Sequence, residues 1–278
     1  MPAGLVPLTV LLHDPRYLRA GAALFAGFLV AGAIAVGSSA ARGVEIHAGA
    51  GGGVSGAPTG LSGTAGVDSA SISFTPGAPS TPPVTSYTVT AYPGHEQGFG
   101  ATSPVTVSGL QPNTAYTFAV SAASAAGRSS GSAPSAPLTT LAAPAGVTLP
   151  ALSALRLSLV SFFAAASGGP VSGGTRTGTD VSYADSVAAT STIVVLRVRS
   201  GVQHAGACVI TGSSAGKRCT SLLLVGSFTN ADVAGTNKFH FSGRVGGHAL
   251  HAGLYQVRIT PSLDGLAGNT LMGEFDVF

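Results

Sequence analysis

The chain has 278 residues, of which 45% are hydrophobic and only 8% charged, and it carries 40 Gly and 17 Pro. So few charged helix formers beside so many punctuating residues exclude a largely helical protein and predict an all-β one, long enough for two compact domains. The net charge of +3 comes from basic residues scattered along the chain, with Lys217-Arg218 the only adjacent pair. No dense positive stripe exists to displace counterions from phosphates, so nucleic acid is not expected as a partner.

At the N-terminus, Arg16 and Arg19 precede an uncharged segment whose apolar heart runs from Ala20 to Val36. Small residues at Ser38 and Ala40, or at Ser39 and Ala41, suit a cleavage site. Residues 1–41 are therefore predicted to be a secretory signal, with an uncleaved membrane anchor as the alternative. Either way the remainder is exported, and the membrane is touched only through this segment if it is retained. Residues 42–56 lack periodicity and are Gly-rich, which predicts a flexible linker.

Three strand candidates follow: APTGL from Ala57, SASISFTP with Ile72 and Phe74 on one face, and TSYTVTAYPG with Tyr87, Val89 and Ala91 alternating. In the next run, VTVSGLQPNTAYTFAVSAASAAG, period-two alternation puts Tyr116, Phe118, Val120 and Ala122 on one face. Thr117, Ala119, Ser121 and Ala123 form a more polar row behind them.

The order Leu110, Pro112, Tyr116, Phe118, Val120, Ala122, Gly127 resembles strands E and F of a fibronectin type III domain, and the resemblance covers residues 57–141. It implies that the earlier candidates are strands A, B and C. It also implies that Tyr116 is the corner tyrosine, whose hydroxyl reaches back to upstream backbone. Two departures stand out. Phe74 replaces the tryptophan usual on strand B, and Gly127-Arg128-Ser129 lacks the Asp that completes the cell-attachment tripeptide of some members.

Residues 142–150 form a Pro-punctuated linker, and 151–278 a second β-sandwich. Its strand candidates are LRLSLVSFF from Leu155, TDVSYA from Thr179, TIVVLRVRS from Thr192, and a C-terminal series from Leu222 to Phe278. The spacing of Leu250, Tyr255, Val257, Ile259 and Ala267-Gly268 echoes that of Leu110 to Gly127, which makes Tyr255 a second corner tyrosine. The predicted fold is thus two tandem Ig-like or fibronectin type III-like β-sandwiches. The run from Gly235 through Asn237, Phe239, Phe241, Gly243, Arg244 and Tyr255 to Asn269 also resembles a C-terminal module of exported proteins from high-GC Gram-positive bacteria.

Two cysteines in an exported chain are expected to pair, and Cys208 and Cys219 flank glycines that suit a β-hairpin. Gly212 to Gly216 matches G-x-S-x-G around Ser214, but a hairpin between cysteines is not the strand-to-helix turn that a hydrolase nucleophile needs. His240, His248 and His251 read as solvated surface residues, and Asp264-Gly265 and Gly268-Asn269 as turns. The acidic residues are scattered without an evident pair for glycoside hydrolysis. No catalytic, metal or cofactor site is predicted. Tyr92 and Phe99, flanking PGHEQGFG, are the candidate ligand-contact aromatics. The sequence points to a secreted or cell-surface, non-catalytic interaction or spacer protein, with an extracellular protein or polysaccharide as partner. The alternative is an accessory role in polysaccharide binding or degradation.

Overall fold

The computed structural model describes residues 53–172, 177–210 and 216–278. The predicted signal or anchor, most of the Gly-rich linker and Ser214 lie outside the described residues. Every regular element described is a strand.

Eight strands build the first sandwich: β1 (Thr59–Ala65), β2 (Ser69–Thr75), β3 (Val84–Tyr92), β4 (Gln97–Gly100), β5 (Val105–Ser108), β6 (Ala115–Ser124), β7 (Gly127–Arg128) and β8 (Leu138–Thr139). One sheet has the order β1-β2-β5, and the other runs β4-β3-β6. Alternation sends Ile72, Val89, Val107, Phe118 and Val120 into the core between them, each at most 1% exposed. Phe74 fills its position by packing on Tyr87, with ring centroids 4.8 Å apart.

The edge of β6 between Tyr116 and Ala123, the stretch that β8 and β7 leave uncovered, is closed by a device that period-two alternation does not reveal. Ser129, Ser132 and Ser135, three residues apart, each donate a backbone N–H to the carbonyls of Ala122, Val120 and Phe118. Their hydroxyls accept the N–H of those same three residues at 2.9–3.0 Å. Pro134 lies between the last two serines and Pro137 follows them, and neither has an N–H to offer. A three-residue repeat of side-chain and backbone bonds thus satisfies an edge that a regular strand would otherwise cover.

The second sandwich contains β9 (Leu152–Leu157), β10 (Ser161–Phe162), β11 (Thr179–Asp185), β12 (Thr190–His204), β13 (Ala207–Val209), β14 (Arg218–Ala231), β15 (Gly235–Phe241), β16 (Arg244–Val245), β17 (His248–Ala249), β18 (Gly253–Leu263), β19 (Leu266–Ala267) and β20 (Leu271–Val277). The sheet β15-β11-β9 faces β10-β20-β18-β12, and β14 lies on the other edge of β12. Aromatic rings fill the space between. Phe275 stacks between Phe162 and Tyr255 at 5.2 and 5.6 Å, and Phe228 stacks on Phe241 at 5.8 Å.

Two expectations are corrected here. LRLSLVSFF is not one strand: β9 pairs antiparallel with β11, whereas β10 pairs parallel with β20. The chain changes sheets between them, which leaves Leu159 and Val160 exposed at the corner. The segment around Cys208 and Cys219 is not a simple hairpin either. β13 and β14 both pair with β12, where Cys208 stands opposite Gln203 and Cys219 opposite Gly201. The Cys208–Cys219 disulfide therefore joins two strands that share β12 as their partner.

The sandwiches are fused through a continuous sheet. β13 pairs with β7, which pairs with β6, so hydrogen bonding runs from β12 into the first sandwich. Both halves fall within one compact unit. Gly127 stands opposite Val209 in this junction at φ +136°, and a Cβ there would collide with the carbonyl oxygen of Cys208. Only glycine meets both demands. β14 lies against β3, β6 and β7. Ser86, Thr88, Ser121 and Ala123, the outward row of the first sandwich, are consequently buried, as is Leu196 of β12. The Leu224 N–H donates to Ser86 Oγ at 3.2 Å across this contact.

Replacing Ser129 by Ala leaves the buried Ala122 N–H without its partner and should cost about 1–3 kcal/mol in denaturant unfolding. Ser129→Thr, which keeps the acceptor, should cost less. Gly127→Ala should destabilise by at least about 1–3 kcal/mol from backbone strain. Amide exchange would quicken first at Cys208 and Val209, where the inter-sandwich pairing is lost.

Candidate functional site: the groove between the sandwiches

The predicted structural residues come first, because they hold the walls. The Tyr116 hydroxyl accepts the N–H of Gln111 at 2.9 Å, and the Tyr255 hydroxyl donates to the carbonyl of His251 at 2.7 Å. Both rings are almost fully buried, so these bonds satisfy phenols that would otherwise be stranded at a sandwich corner. Burial raises the Tyr255 phenol above its ordinary value. Asn269, read as a turn residue, does more: its side chain accepts the Leu152 N–H at 2.8 Å and donates to the Leu152 carbonyl at 2.9 Å. That amide acts as a strand partner for the first residue of β9.

β18 and β13 both pair with the same edge of β12, at its two ends. The sheet therefore continues from β12 along two arms, one through β18 and β20 and the other through β13 and β7 to β6, β3 and β4. Their outward faces enclose a groove. Its largest pocket, about 410 Å³, takes Thr106 and Phe99 from the first sandwich and Thr192, Arg258 and Thr260 from the second. A neighbouring pocket of about 330 Å³ is lined by Thr90, Tyr92, Arg128 and Gln256 among others. Gln97 borders both.

Arg258 is the charged centre of this groove. Alternation along β18 puts Tyr255, Val257 and Ile259 in the core and Gln256, Arg258 and Thr260 outward. The guanidinium lies over the Phe99 ring at 4.7 Å. Its Nε donates to Gln256 Oε1 at 2.8 Å, and Nη2 donates to Gln97 Oε1 at 2.7 Å. Burial pushes the group down to about 10, so it keeps its charge at neutral pH. Among the described residues no carboxylate lies within salt-bridge reach of it, and Nη1 has no hydrogen-bond partner.

Tyr92 and Phe99, the predicted contact aromatics, are not a matched platform on a loop. Gln97–Gly100 is a strand, with Phe99 opposite Thr88, and one face of its ring is covered by Arg258. Tyr92 is 41% exposed and meets His95 edge-on at 4.8 Å. The two rings line different pockets of one groove.

Asp68 closes the end of the groove. It is 1% exposed, its Oδ2 accepts the N–H of Ala267 from the other sandwich, and Oδ1 has no partner. Burial raises its carboxyl above the ordinary value.

Other titratable groups are held structurally. His240 was expected to be solvated, but it is half-buried, with Nδ1 2.8 Å from Asp180 and Nε2 2.7 Å from the Thr177 carbonyl. Hydrogen bonds from His240 and Lys238 lower the Asp180 carboxyl. His248 and His251 are exposed. Asp232 is buried and accepts from Tyr183 at 2.7 Å, from Ser191 and from Asn230. Burial, reinforced by the neighbouring Asp232 charge, raises Asp185. Among the described residues no cluster of three or more His, Cys, Asp or Glu side chains converges on a metal position. Asp264 and Gly265 adopt positive φ in the turn between β18 and β19.

Comparisons with known proteins bear on the first sandwich. Residues 56–140, which span the first sandwich, match the family model described as fibronectin type III domain. A comparison with curated proteins gives no match. Among solved structures, the chain is similar to the chicken CNTN1 FN1-FN3 domains at 14% identity, covering 81% of this chain and 67% of that one with a TM-score of 0.31.

The raised carboxyl of Asp68 sets a pH dependence. Because its folded value lies above the ordinary 3.8, its contribution is fully present below pH 3.8 and is lost as pH rises through the folded value. Asp68→Asn, which keeps an acceptor for Ala267 and never ionises, should melt above the wild type at neutral pH, and the gap should close on acidification. Asp68→Ala strands the Ala267 N–H and should cost about 1–3 kcal/mol. Thermal unfolding of the three proteins between pH 3 and 8 measures both effects.

Proposed function

We propose that this is a secreted or cell-surface, non-catalytic interaction protein whose two sandwiches act as one rigid spacer and present the groove as the binding surface. The observation that carries this reading is the groove itself, where uncharged hydroxyl and amide side chains from both sandwiches surround Arg258. Such a lining recognises ligands by hydrogen bonds and suits a polar partner. Fibronectin type III domains generally serve as extracellular or cell-surface interaction and spacer modules. The Cys208–Cys219 disulfide suits an oxidising compartment. The Ala20 to Val36 segment and the resemblance of the second half to a module of exported bacterial proteins point the same way.

Polysaccharide binding is the specific form of this reading that the hydroxyl-lined pocket favours. A sugar chain offers the alternating donors and acceptors that threonine and serine side chains match. The proteins that such a module accompanies would then supply any degradation.

Retention of the full chain on insoluble cell-wall and plant polysaccharides, and on immobilised extracellular proteins, tests the reading. Saturable binding to one of these matrices is expected, and Phe99→Ala should weaken it several-fold because the ring supports Arg258. Tyr92→Ala should act only on ligands long enough to reach the second pocket. Release of soluble fragments by the purified chain would overturn the non-catalytic reading. Saturable binding untouched by Phe99→Ala would place the contact surface outside the groove.

A further inference from the structure

We infer that the pocket around Arg258 is a subsite for the carboxylate of an acidic saccharide, a uronate unit within a glycan chain. The inference rests on the groove reading above and names its ligand class.

Arg258 is a planar cation held over the Phe99 ring and fixed by two neutral amides, Gln97 and Gln256, that orient it without neutralising it. Contact with the ring and bonds at Nε and Nη2 leave the end of the guanidinium that carries Nη1 for a ligand. A carboxylate fits that end because its two oxygens match the fork of a guanidinium. Charge counting favours a monoanion. The pocket of about 410 Å³ has Arg258 as its cation, and the carboxyl that borders it, Asp68, is tied to Ala267 with a value raised by burial. A phosphate monoester dianion would call for a second cation there.

The rest of the lining says what carries the carboxylate. Thr106, Ser108, Thr192, Ser227, Thr260 and Thr270 line this pocket with Arg258, and among the described residues its aliphatic side chains are Val194 and Ala267 alone. A peptide carboxylate would bring apolar side chains to a wall that offers them only Val194, Ala267 and the edge of Phe99. A polyhydroxylated ring brings hydroxyls for which this wall is complementary. Glu96 borders the adjoining pocket that Arg258 also reaches, so repulsion directs an anionic group to the Thr106 side.

Titration calorimetry of the full chain with trigalacturonate, its methyl ester, neutral trigalactose and a sulfated galactose trimer tests the inference. Trigalacturonate is expected to bind at least about tenfold more tightly than the ester or the neutral trimer. Arg258→Gln should reduce it to the level of the ester, and Arg258→Lys, which keeps charge but loses the fork, should fall between. Should Arg258→Gln fail to fold, the Arg258 Nε–H resonance of the wild type still decides, since it must shift with trigalacturonate and stay put with the ester. Equal binding of acid and ester, an unmoved resonance, or tighter binding of the sulfated trimer overturns the uronate assignment. If the inference fails while the chain still binds polysaccharide or protein matrices in a Phe99-dependent way, the groove reading survives without it.

Discussion

The fifteen-residue strand β12 is the constraint on which the rest of the molecule depends. It pairs with β14 over Thr190–Val202, with β18 over Thr190–Arg197 and with β13 over Val202–His204. One edge of one strand thus serves both the second sandwich and, through β13 and β7, the first. A strand that fed only its own sheet would leave the sandwiches joined by the 142–150 linker and free to reorient. Here residues 142–148 of the linker are exposed, and the orientation is fixed by backbone hydrogen bonds and by the burial of Leu196 against a face that an isolated domain would expose to water. The disulfide reinforces the same place, because it ties β13, the strand that crosses between sandwiches, to β14.

Close approach of backbone to backbone is what this junction asks of the sequence, and it accounts for part of the glycine content. Gly127 meets Cys208, Gly201 meets Val209, and Gly268 meets Pro150 at separations that no Cβ permits. Scarcity of charge acts in the same direction. A sheet face that will be buried against another sandwich cannot carry Lys or Glu without a desolvation cost, and Ser86, Thr88 and Ser121 are polar residues small enough to be covered. The one strongly basic group retained at the centre of the groove is therefore conspicuous. Arg258 bears the cost of burial with only amides and an aromatic ring for company.

Much of the first sandwich was legible because its signals are local. Tyr116, Phe118, Val120 and Ala122 alternate over a single strand, and a corner tyrosine lies within a few residues of the backbone it bonds. The aromatic pairs Phe239 and Phe241 and the row Tyr255, Val257, Ile259 were readable for the same reason. The serine ladder was not, since a repeat of three at Ser129, Ser132 and Ser135 matches neither the strand nor the helix period and resembles a Pro-rich loop. The hairpin expected between the cysteines is instead one between β12 and β13 through Ala205-Gly206, and nothing near Cys208 in the chain reveals that its other neighbour is Arg128.

The candidate site lay at the far end of that scale. Arg258 stands in the outward row of an amphipathic strand, where an isolated arginine is ordinarily a solvated surface residue, and Phe99 and Gln97 are 159 and 161 positions away in a segment that looked like a loop. Neither strand alone makes a binding surface. The site exists only because β12 lends one edge to both sandwiches, so that the outward rows of β18 and β4 face each other across a groove. The same pairing that gives the protein the stiffness of a spacer also desolvates Arg258 from one side and leaves it open from the other. Rigidity and recognition thus come from a single architectural choice, and a change that loosens the junction removes the site even where every residue lining it is kept.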